Sequence, residues 1–440
     1  MPIDPVRNAA IDVLLRVFEQ GVFLDVSLDR TLRRKELHER GRRFLTHLVY
    51  GTVRHRILCD YVLRGILRQP LEELPAPIRA LLRMGIFQSL FCSQVTPPAL
   101  VHTSVDLARK RGHAGLARLT NAVLRRAPHE LSEVTFPEEP LERLHIQYSM
   151  PEWLVKRWLD DLGPNETEAL CRALTEEAPI SARVNTLQIN TDSLLKALQK
   201  GDIRAEKRTV VPEEITFFRA PALARSKRFQ AGDFTVQDPA SMLPAHLLEP
   251  QPGERILDMC AAPGNKTTHI AALAEGRARL TACDIRLGRI RQIRENMTRL
   301  NAPGVHLVAA DGRNAPFVGR FDRVLVDAPC SGLGTLRRHP DLKYRLSEAD
   351  IRELALLQQQ LLRSAIVLCE NQGVIVYSVC TSTPEETEHV VAAVLATEPV
   401  TLEDGPIWMS AWRKSKGTYR TNPVQDGLDG FFLTRLRKQS

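Results

Sequence analysis

The sequence predicts a multidomain protein with an all-α N-terminal bundle, a small α+β subdomain and a C-terminal doubly wound α/β domain. Three patterns support this prediction. Apolar residues recur at helical spacing through residues 5–127, the pattern is mixed over about 145–235, and strands alternate with helices from residue 254 onward. A chain of 440 residues is long enough for two or three domains. We therefore place the domains at 1–130, 145–235 and 236–440.

The N-terminal bundle is indicated by apolar stripes at helical spacing, with no competing strand pattern. The first stripe consists of Val6, Ala10, Val13, Leu14, Val17 and Phe18. The same region is rich in basic side chains: Arg33, Arg34, Lys35, Arg40, Arg42, Arg43, Arg109, Lys110, Arg111, Arg125 and Arg126. Two interpretations of these side chains stay open, because they could be solvated helix faces or a surface that reads phosphates.

Composition narrows the class of protein. The formal net charge of +8 and a pI of about 9.2 favour a polyanionic partner, although many basic proteins bind none. No apolar run reaches the length of a membrane span, and Met1–Arg16 lacks a secretory apolar segment, so we expect a cytoplasmic protein without membrane contact. The eight cysteines include no C-x-x-C pair, which argues against a zinc knuckle, and no metal site is expected.

The middle of the chain predicts a linker and a small α+β subdomain. Residues 129–142 are acidic and rich in proline, as linkers are. Beyond Pro151 the sequence predicts a strand at Ser181–Leu187, a helix at Thr191–Gln199 and a strand at Glu214–Phe218. This subdomain shows no chemistry of its own.

From residue 254 the order is strand, helix, strand, helix, which predicts a Rossmann-like doubly wound parallel sheet. In such a sheet ligands lie at the carboxyl ends of the strands. A long helix is predicted at Asp350–Cys369. The predicted strands are Ile256–Cys260, Leu280–Asp284, Val305–Ala309, Arg323–Asp327 and Val374–Ser378.

The first of these strands leads into a loop suited to a nucleotide-type cofactor. Residues 254–270 read E-R-I-L-D-M-C-A-A-P-G-N-K-T-T-H-I, a buried strand, a turn of small residues and a helix. Asp284 ends the next strand, where a carboxylate can accept hydrogen bonds from two ribose hydroxyls. This logic serves NAD and S-adenosylmethionine equally, and an ordinary structural βα turn is the alternative.

More chemistry-bearing residues fall at the carboxyl ends of the later strands. Asp311 follows the third strand and can accept from an adenine amino group, while Cys330 in D-A-P-C-S-G and Cys380 in S-V-C-T follow the fourth and fifth. Neighbouring strands lie about 4.8 Å apart, so two sulfurs on paired strands can reach one pocket. A buried cysteine is usually a packing residue, but two of them beside a cofactor loop favour a shared site.

Two thiols and a methyl donor fit one reaction, the methylation of carbon 5 of cytosine. Addition of a thiolate to carbon 6 makes carbon 5 nucleophilic, and the thiolate is expelled after the methyl group is transferred. Asp327, the acid of D-A-P-C, could hydrogen-bond the N3/N4 edge of the base. The base must be unstacked to be attacked from above its plane, so a single-stranded or flipped cytosine is expected.

Several motifs resemble those of the RNA cytosine-5 methyltransferase family. They are C-A-A-P-G-N-K (260–266), D-A-P-C-S-G (327–332), R-R-H-P-D (337–341) and Y-S-V-C-T-S-T-P-E-E (377–386). The N-terminal bundle resembles the NusB-like RNA-binding domain through R-R-F at 42–44, Gly51 and N-A-V-L-R-R at 121–126. The combination resembles the bacterial small-subunit rRNA enzymes of the RsmB (Sun/Fmu) type.

The resemblance implies an activity and roles for individual residues. The substrate would be 16S rRNA, the target cytosine 967, the cofactor S-adenosyl-L-methionine, and the enzyme a monomer. Cys380 would be the nucleophile and Cys330 the second cysteine that helps to release the product. D-G-F-F at 429–432 resembles the closing strand of the family. The cofactor contacts would be Cys260, Ala261, Ala262, Pro263, Gly264, Asn265, Lys266, Asp284, Arg289, Asp311 and Asp327.

The sequence departs from the family pattern at two places. Asn265 replaces a usual glycine, and we expect asparagine to tolerate a positive φ there. Val379 replaces the threonine that usually precedes the nucleophile, which removes a hydroxyl. Other readings stay open, namely a tRNA substrate, naked RNA or a ribosomal particle, and an inactive assembly factor. An NAD-linked oxidoreductase would leave D-A-P-C unexplained. A methyltransferase acting on an amino group would need a motif like D/N-P-P-Y in place of D-A-P-C.

Overall fold

A computed structural model describes residues 3–132, 134–201, 203–218 and 223–440 of the chain. The chain divides into two compact units. We call Met1–Glu176 together with Leu336–Arg345 the helical unit, and Glu177–Thr335 together with Leu346–Ser440 the sheet unit. The predicted domain boundaries at 130, 145 and 235 stay predictions.

The helical unit confirms the all-α character of the N-terminal region. Gly51 shows how closely two of its helices approach, because a Cβ there would lie 1.9 Å from the ring of Phe87. The helices are α1 (Pro5–Phe18), α2 (Leu24–Arg34), α3 (Glu39–Arg54), α4 (Arg56–Ile66), α5 (Ala76–Phe91), α6 (Pro97–Arg111), α7 (Ala114–Ser132), α8 (Pro140–Gln147), α9 (Glu152–Leu162) and α10 (Pro164–Thr175).

A ten-residue segment from much later in the chain completes the helical unit. Leu336–Arg345 contains the R-R-H-P-D run. The Asp341 carboxylate accepts from the backbone N–H of Leu24 at 3.1 Å, and the buried Lys343 ammonium donates to the Arg54 carbonyl at 3.0 Å. These bonds satisfy polar groups inside the unit, so the segment is part of its packing.

The sheet unit contains a small antiparallel sheet in the order β2-β3-β1-β4. The predicted helix at Thr191–Gln199 (α11) is present, and the two predicted strands end earlier than expected. Phe234–Val236 is a strand that the sequence pattern did not predict, since three residues are too few to show alternation. The elements are β1 (Ile180–Val184), α11, β2 (Ala205–Lys207), β3 (Glu214–Phe217), α12 (Lys227–Gln230) and β4 (Phe234–Val236).

The second sheet has nine strands within the described residues, in the order β11-β12-β13-β9-β8-β5-β6-β7 with β10 paired to β13. Strands β5 to β9 run parallel, and β10 to β13 add an antiparallel edge. Its elements are α13 (Leu243–Leu248), β5 (Arg255–Asp258), α14 (Asn265–Leu273), β6 (Arg279–Asp284), α15 (Leu287–Leu300), β7 (Val305–Ala309), β8 (Phe321–Asp327), α16 (Glu348–Leu368), β9 (Cys369–Val379), α17 (Glu388–Leu395), β10 (Val400–Leu402), β11 (Arg413–Ser415), β12 (Thr418–Arg420) and β13 (Phe432–Lys438).

This architecture confirms the predicted fold class and adds the antiparallel edge to it. The apolar cores of β5, β6, β8 and β9 are buried, as their continuous apolar runs predicted, whereas the edge strand β7 is only partly covered. Strand β5 ends at Asp258, two residues before the predicted end, so Met259 and Cys260 belong to the following turn. The closing strand begins at Phe432, the last residue of D-G-F-F. In the described part of the chain, no helix combines the length and apolarity that a membrane crossing needs.

Candidate active site

The loop between β5 and α14 has the tight turn that its small residues predicted. Gly264 carries it, with φ of +98°, and a Cβ there would lie 3.1 Å from Ile293. Asn265 is the first residue of α14 and does not have a positive φ. Our expectation that Asn265 replaces glycine in a left-handed turn is therefore wrong, because the neighbouring Gly264 adopts that conformation.

Two acids flank this loop and differ in their burial and in their hydrogen-bond partners. Asp284, at the end of β6, is buried and accepts from the backbone N–H of Ala262 at 3.3 Å, with the Arg289 guanidinium 3.5 Å away. Asp311, after β7, is half-buried, and both of its carboxylate oxygens accept from the Nε–Nη2 edge of the Arg313 guanidinium, which lowers the pKa of the carboxyl. An incoming amino group would have to share Asp311 with Arg313.

The pairing of β8 with β9 brings the two predicted cysteines together. The strands are parallel neighbours with Asp327 beside Ser378, and the Sγ atoms of Cys330 and Cys380 lie 3.2 Å apart. The hydrogen bond with Cys380 and burial both raise the pKa of Cys330 well above its usual range. The backbone N–H of Cys380 also donates to the Cys330 sulfur at 3.3 Å, so two contacts join these residues.

Asp327 links this pair of cysteines to the cofactor loop. One carboxylate oxygen accepts from the Lys266 ammonium at 2.6 Å and the other from the Ser378 hydroxyl at 2.6 Å. Burial alone would lower the pKa of Lys266, but the Asp327 carboxylate outweighs burial and raises it. Lys266 thus stays charged beside Asp327.

Family models match three consecutive parts of the chain. Residues 4–128 match the NusB family, residues 150–223 the ferredoxin-like domain of RsmF/B-like methyltransferases, and residues 245–437 the 16S rRNA methyltransferase RsmB/F model. The chain is 33% identical to the probable ribosomal RNA small subunit methyltransferase B of Bacillus subtilis (strain 168), with 99% of both chains covered. It is also 33% identical to the ribosomal RNA small subunit methyltransferase B of Pseudomonas putida, with 98% of both covered.

The chain belongs to the 16S rRNA methyltransferase RsmB/F family.

Solved structures agree with this membership in the RsmB/F family. The structure titled "Crystal Structure of PH0851" covers 100% of both chains with a TM-score of 0.85 and 29% identity. A structure of NSun6 from Pyrococcus horikoshii with SFG covers 66% of this chain and 98% of its own, with a TM-score of 0.60 and 25% identity. The predicted family and the predicted enzyme class, an S-adenosylmethionine-dependent rRNA methyltransferase, are thereby confirmed.

The residues of this RsmB/F chain fit the family's cofactor by their chemistry. Asp258, at the end of β5, is fully buried, and one of its carboxylate oxygens has no partner, while the other accepts from Thr267 at 2.6 Å. Burial raises the pKa of Asp258 to about 7. An ammonium group is the partner that such an oxygen lacks, and S-adenosylmethionine carries one. Asp284 and Asp311 would offer acceptors for hydroxyl and amino groups.

Sequence reasoning missed two residues of this site, Asp258 and Glu386. Asp258 could have been found because it ends the strand before the loop, as Asp284 ends the next one. The predicted contact residue Cys260 lies in the same loop, and burial together with the carboxylates of Asp258, Asp327 and Asp284 raises the pKa of its thiol. The roles assigned to these residues stay predictions.

Glu386 is fully buried at the centre of a hydrogen-bond network. One carboxylate oxygen accepts from the backbone N–H of Ser331 at 2.8 Å and from Gln358 at 3.0 Å. The other accepts from the Ser331 hydroxyl at 2.5 Å and from Thr383 at 2.8 Å. The loop that contains Cys330 and the loop that contains Cys380 therefore meet on one carboxylate.

Proposed function

We propose that this chain transfers a methyl group from S-adenosylmethionine to carbon 5 of a cytosine in 16S rRNA, through a covalent bond between Cys380 and carbon 6. The observation that carries the proposal is the 3.2 Å separation of the Cys330 and Cys380 sulfurs at the carboxyl ends of adjacent strands. Membership of the RsmB/F family supports the RNA substrate, and the acids around the loop support the cofactor.

The proposed reaction begins at the Cys380 sulfur. Its thiolate bonds to carbon 6, and the displaced π electrons make carbon 5 nucleophilic. When bound, S-adenosylmethionine would supply an electrophilic methyl group to carbon 5, and its sulfonium–methyl bond would break to leave S-adenosylhomocysteine. Loss of the carbon 5 proton to water then restores the ring double bond and breaks the bond between Cys380 and carbon 6. Every bond that forms is matched by one that breaks.

The other residues act on the base and on the leaving thiolate. In the free enzyme Asp327 accepts hydrogen bonds from Lys266 and Ser378. Replacing one of these donors with the exocyclic amino group of cytosine would orient the base. In this proposal the Cys330 thiol donates a hydrogen bond to the Cys380 sulfur, which lies 3.2 Å away. That hydrogen bond stabilises the thiolate as it leaves carbon 6, so its loss should leave the protein attached to RNA.

The experiment is a radiolabelled methyl-transfer assay on unmethylated small-subunit RNA. Cys380→Ala should lose transfer to background, because no other group forms the bond to carbon 6. Cys330→Ala should accumulate a covalent protein–RNA adduct that survives denaturation. Cys369→Ala, at the opposite end of β9, is the control and should retain transfer. Turnover by Cys380→Ala would remove the mechanism, and inactivity of the wild type would favour an assembly factor.

The target nucleotide and the working state of the enzyme are part of this proposal. We propose cytosine 967 of 16S rRNA, in naked RNA or an early assembly intermediate, methylated in the cytoplasm by a monomer. Bisulfite mapping of rRNA and tRNA from a strain lacking the gene should show one cytosine that loses its methylation. Loss of methylation in a tRNA instead would replace the substrate and keep the chemistry.

A further inference from the structure

The beginning of α15 presents an exposed surface next to the cofactor loop. Ile285 and Leu287 are 60% and 71% exposed, although both are large and apolar. The arginines around them are exposed too. We call this surface the α15 strip and define it by Ile285, Arg286, Leu287, Arg289, Arg291 and Arg294.

Of the four arginines in the α15 strip, Arg289 pairs with the Asp284 carboxylate at 3.5 Å. Within the part of the chain that the structure describes, Arg286, Arg291 and Arg294 form no ion pair. The only acid inside α15 is Glu295. Solvated arginines on a stable helix are common, but here they surround apolar side chains that water does not favour. Positive charge interleaved with apolar surface suits a single-stranded nucleic acid, which offers phosphates and base faces together.

The position of the α15 strip connects it to the reaction. It begins at the residue after Asp284, and the Arg289 guanidinium lies 3.5 Å from the Asp284 carboxylate and 3.5 Å from the Ala262 carbonyl. Leu287, Arg291 and Arg294 follow one another at helical spacing, so they share one face that is about 10 Å long.

We propose that the α15 strip binds the single-stranded RNA beside the target cytosine, with its arginines on phosphates and its apolar side chains against bases or riboses. This inference rests on the proposed function for its substrate, but the surface itself would bind RNA whatever atom is methylated. An anionic lipid surface is the other partner that such a strip could meet.

The test compares two pairs of arginines in the full-length protein. Arg291→Ala/Arg294→Ala removes two charges from the α15 strip, and Arg279→Ala/Arg320→Ala removes two exposed charges near the starts of β6 and β8, at the opposite edge of the sheet. The probe is a single-stranded fragment of unmethylated 16S rRNA. Removing two phosphate contacts should reduce the slope of log K against log salt by about 1.4, and the control pair should leave the slope unchanged.

A third variant separates the apolar contribution from the ionic one. Leu287→Ala should weaken RNA binding roughly tenfold, about 1.4 kcal/mol, with no change in the salt slope, because apolar contacts release no counterions. An unchanged slope in the double variant would overturn the proposal. The proposal would also be overturned by a lipid result: the wild type binds phosphatidylserine vesicles, the double variant does not, and the RNA affinity of the double variant is unchanged. A wild type that binds RNA through the α15 strip without methylating cytosine would refute the proposed function alone.

A different observation, the network around Glu386, carries a second inference. We infer that Glu386 is a positioning residue that fixes the separation of the two sulfurs. Its carboxylate accepts twice from Ser331, the neighbour of Cys330, and once from Thr383 in the loop after Cys380. Charge-assisted hydrogen bonds of this kind are about twice as strong as neutral ones. Within this network Glu386 joins both loops directly.

Glutamine at this position would keep the shape of the side chain and disturb the bonding. Its amide offers one acceptor oxygen, while its NH2 group would face donors of Ser331, Gln358 or Thr383. The two loops should then move apart, and the sulfurs with them. Glu385→Gln is the matched control, because Glu385 is the adjacent residue and is only half-buried.

The measurement that separates a positioning role from a merely structural one is the rate at which Cys330 and Cys380 form a disulfide, which we call closure. With glutathione disulfide as oxidant, the Cys330 and Cys380 thiols lose two electrons and two protons, and one glutathione disulfide becomes two glutathione thiols. Glu386→Gln should slow this closure at least tenfold, lower kcat for methyl transfer, and leave KM for RNA unchanged. Glu386→Asp should fall between Glu386→Gln and the wild type.

Closure in Glu386→Gln at the wild-type rate would overturn the positioning role, even if the variant were less stable. A kcat that falls only in proportion to the folded fraction would also overturn it. Because closure is measured without RNA or cofactor, its outcome does not depend on whether the proposed methylation is correct.

Discussion

Two cation–carboxylate pairs, one in each unit, have similar chemistry but different surroundings. In the helical unit the Arg83 guanidinium holds both oxygens of Asp60, at 2.6 and 2.9 Å, and both residues are buried. In the sheet unit Lys266 holds one oxygen of Asp327 at 2.6 Å, and the Asp327 side chain is 26% exposed. The first pair joins α4 to α5, and the second lies at the carboxyl end of β8.

The two carboxylates differ in whether a substrate could replace one of their hydrogen-bond donors. Both oxygens of Asp60 are taken by one rigid fork that packs near the Phe18 ring, so no substrate can replace the partner. The oxygens of Asp327 are divided between Lys266 and the Ser378 hydroxyl, and either donor can be replaced singly. Burial of a charge therefore indicates packing in one unit, and a divided, partly exposed carboxylate indicates chemistry in the other.

The largest effect on stability should come from breaking the pair in the helical unit. Asp60→Asn leaves the Arg83 charge buried without its counterion, and we expect a loss of about 3–5 kcal/mol in the free energy of unfolding. The measurement is urea denaturation followed by circular dichroism. The exposed pair Asp29–Arg33 is the control, because Asp29→Asn should cost about 0.5 kcal/mol or less. A cost below 1 kcal/mol for Asp60→Asn would remove the contrast between the pairs.

The corresponding change in the sheet unit should affect catalysis more than stability. Lys266→Met removes the positive charge that lies beside Asp327 and near Cys380, the proposed nucleophile, and we expect kcat/KM for methyl transfer to fall about 10²–10³-fold. The free energy of unfolding should fall by only about 1 kcal/mol. Lys200→Met, an exposed lysine in the same unit, should change neither quantity. Full activity in Lys266→Met would make this pair structural, like Asp60 and Arg83.

A smaller effect should appear as a pH dependence in the helical unit. Burial, and then the charge of Arg54, lower the pKa of Lys343 to about 7 from 10.5. Between these values the unfolded chain binds a proton that the folded chain lacks, so stability rises with pH in that window. The difference in unfolding free energy between wild type and Lys343→Met should change in favour of the wild type by about 1 kcal/mol per pH unit from pH 7 to 10. A constant difference would mean that Lys343 is charged when folded.

Much of the fold was predictable because burial leaves its pattern in the sequence. Runs such as Ile256–Leu257 and Val324–Val326 have no alternation, since both faces of their strands are covered. The antiparallel edge was harder to predict, because β11 and β12 are three residues long and too short for a period. The R-R-H-P-D run shows the other limit, since its packing in the helical unit depends on partners some 300 positions away.

The candidate site was predictable to the level of its motifs and no further. Alternation predicts a parallel sheet, so Cys330 and Cys380 were expected at one edge and close together if their strands paired; the strands do pair, and the sulfurs lie 3.2 Å apart. Which glutamate of P-E-E is buried depends on how a short turn is rotated, which two adjacent identical residues do not reveal. The expectation for Asn265 failed because a single position decides whether the turn or the helix includes it.

The late segment of the helical unit has a consequence for synthesis on the ribosome. The first part of that unit ends at Glu176, and its remaining residues begin 160 positions later, at Leu336. At about 5–20 residues per second, the bundle waits roughly 8–32 s for its last ten residues. During that interval the nascent bundle lacks Asp341 and Lys343, the bonding partners of Leu24 and Arg54, and those backbone groups must bind water or a chaperone. The helical unit therefore becomes complete only after β5 to β8, four of the nine strands of the second sheet, have already been translated.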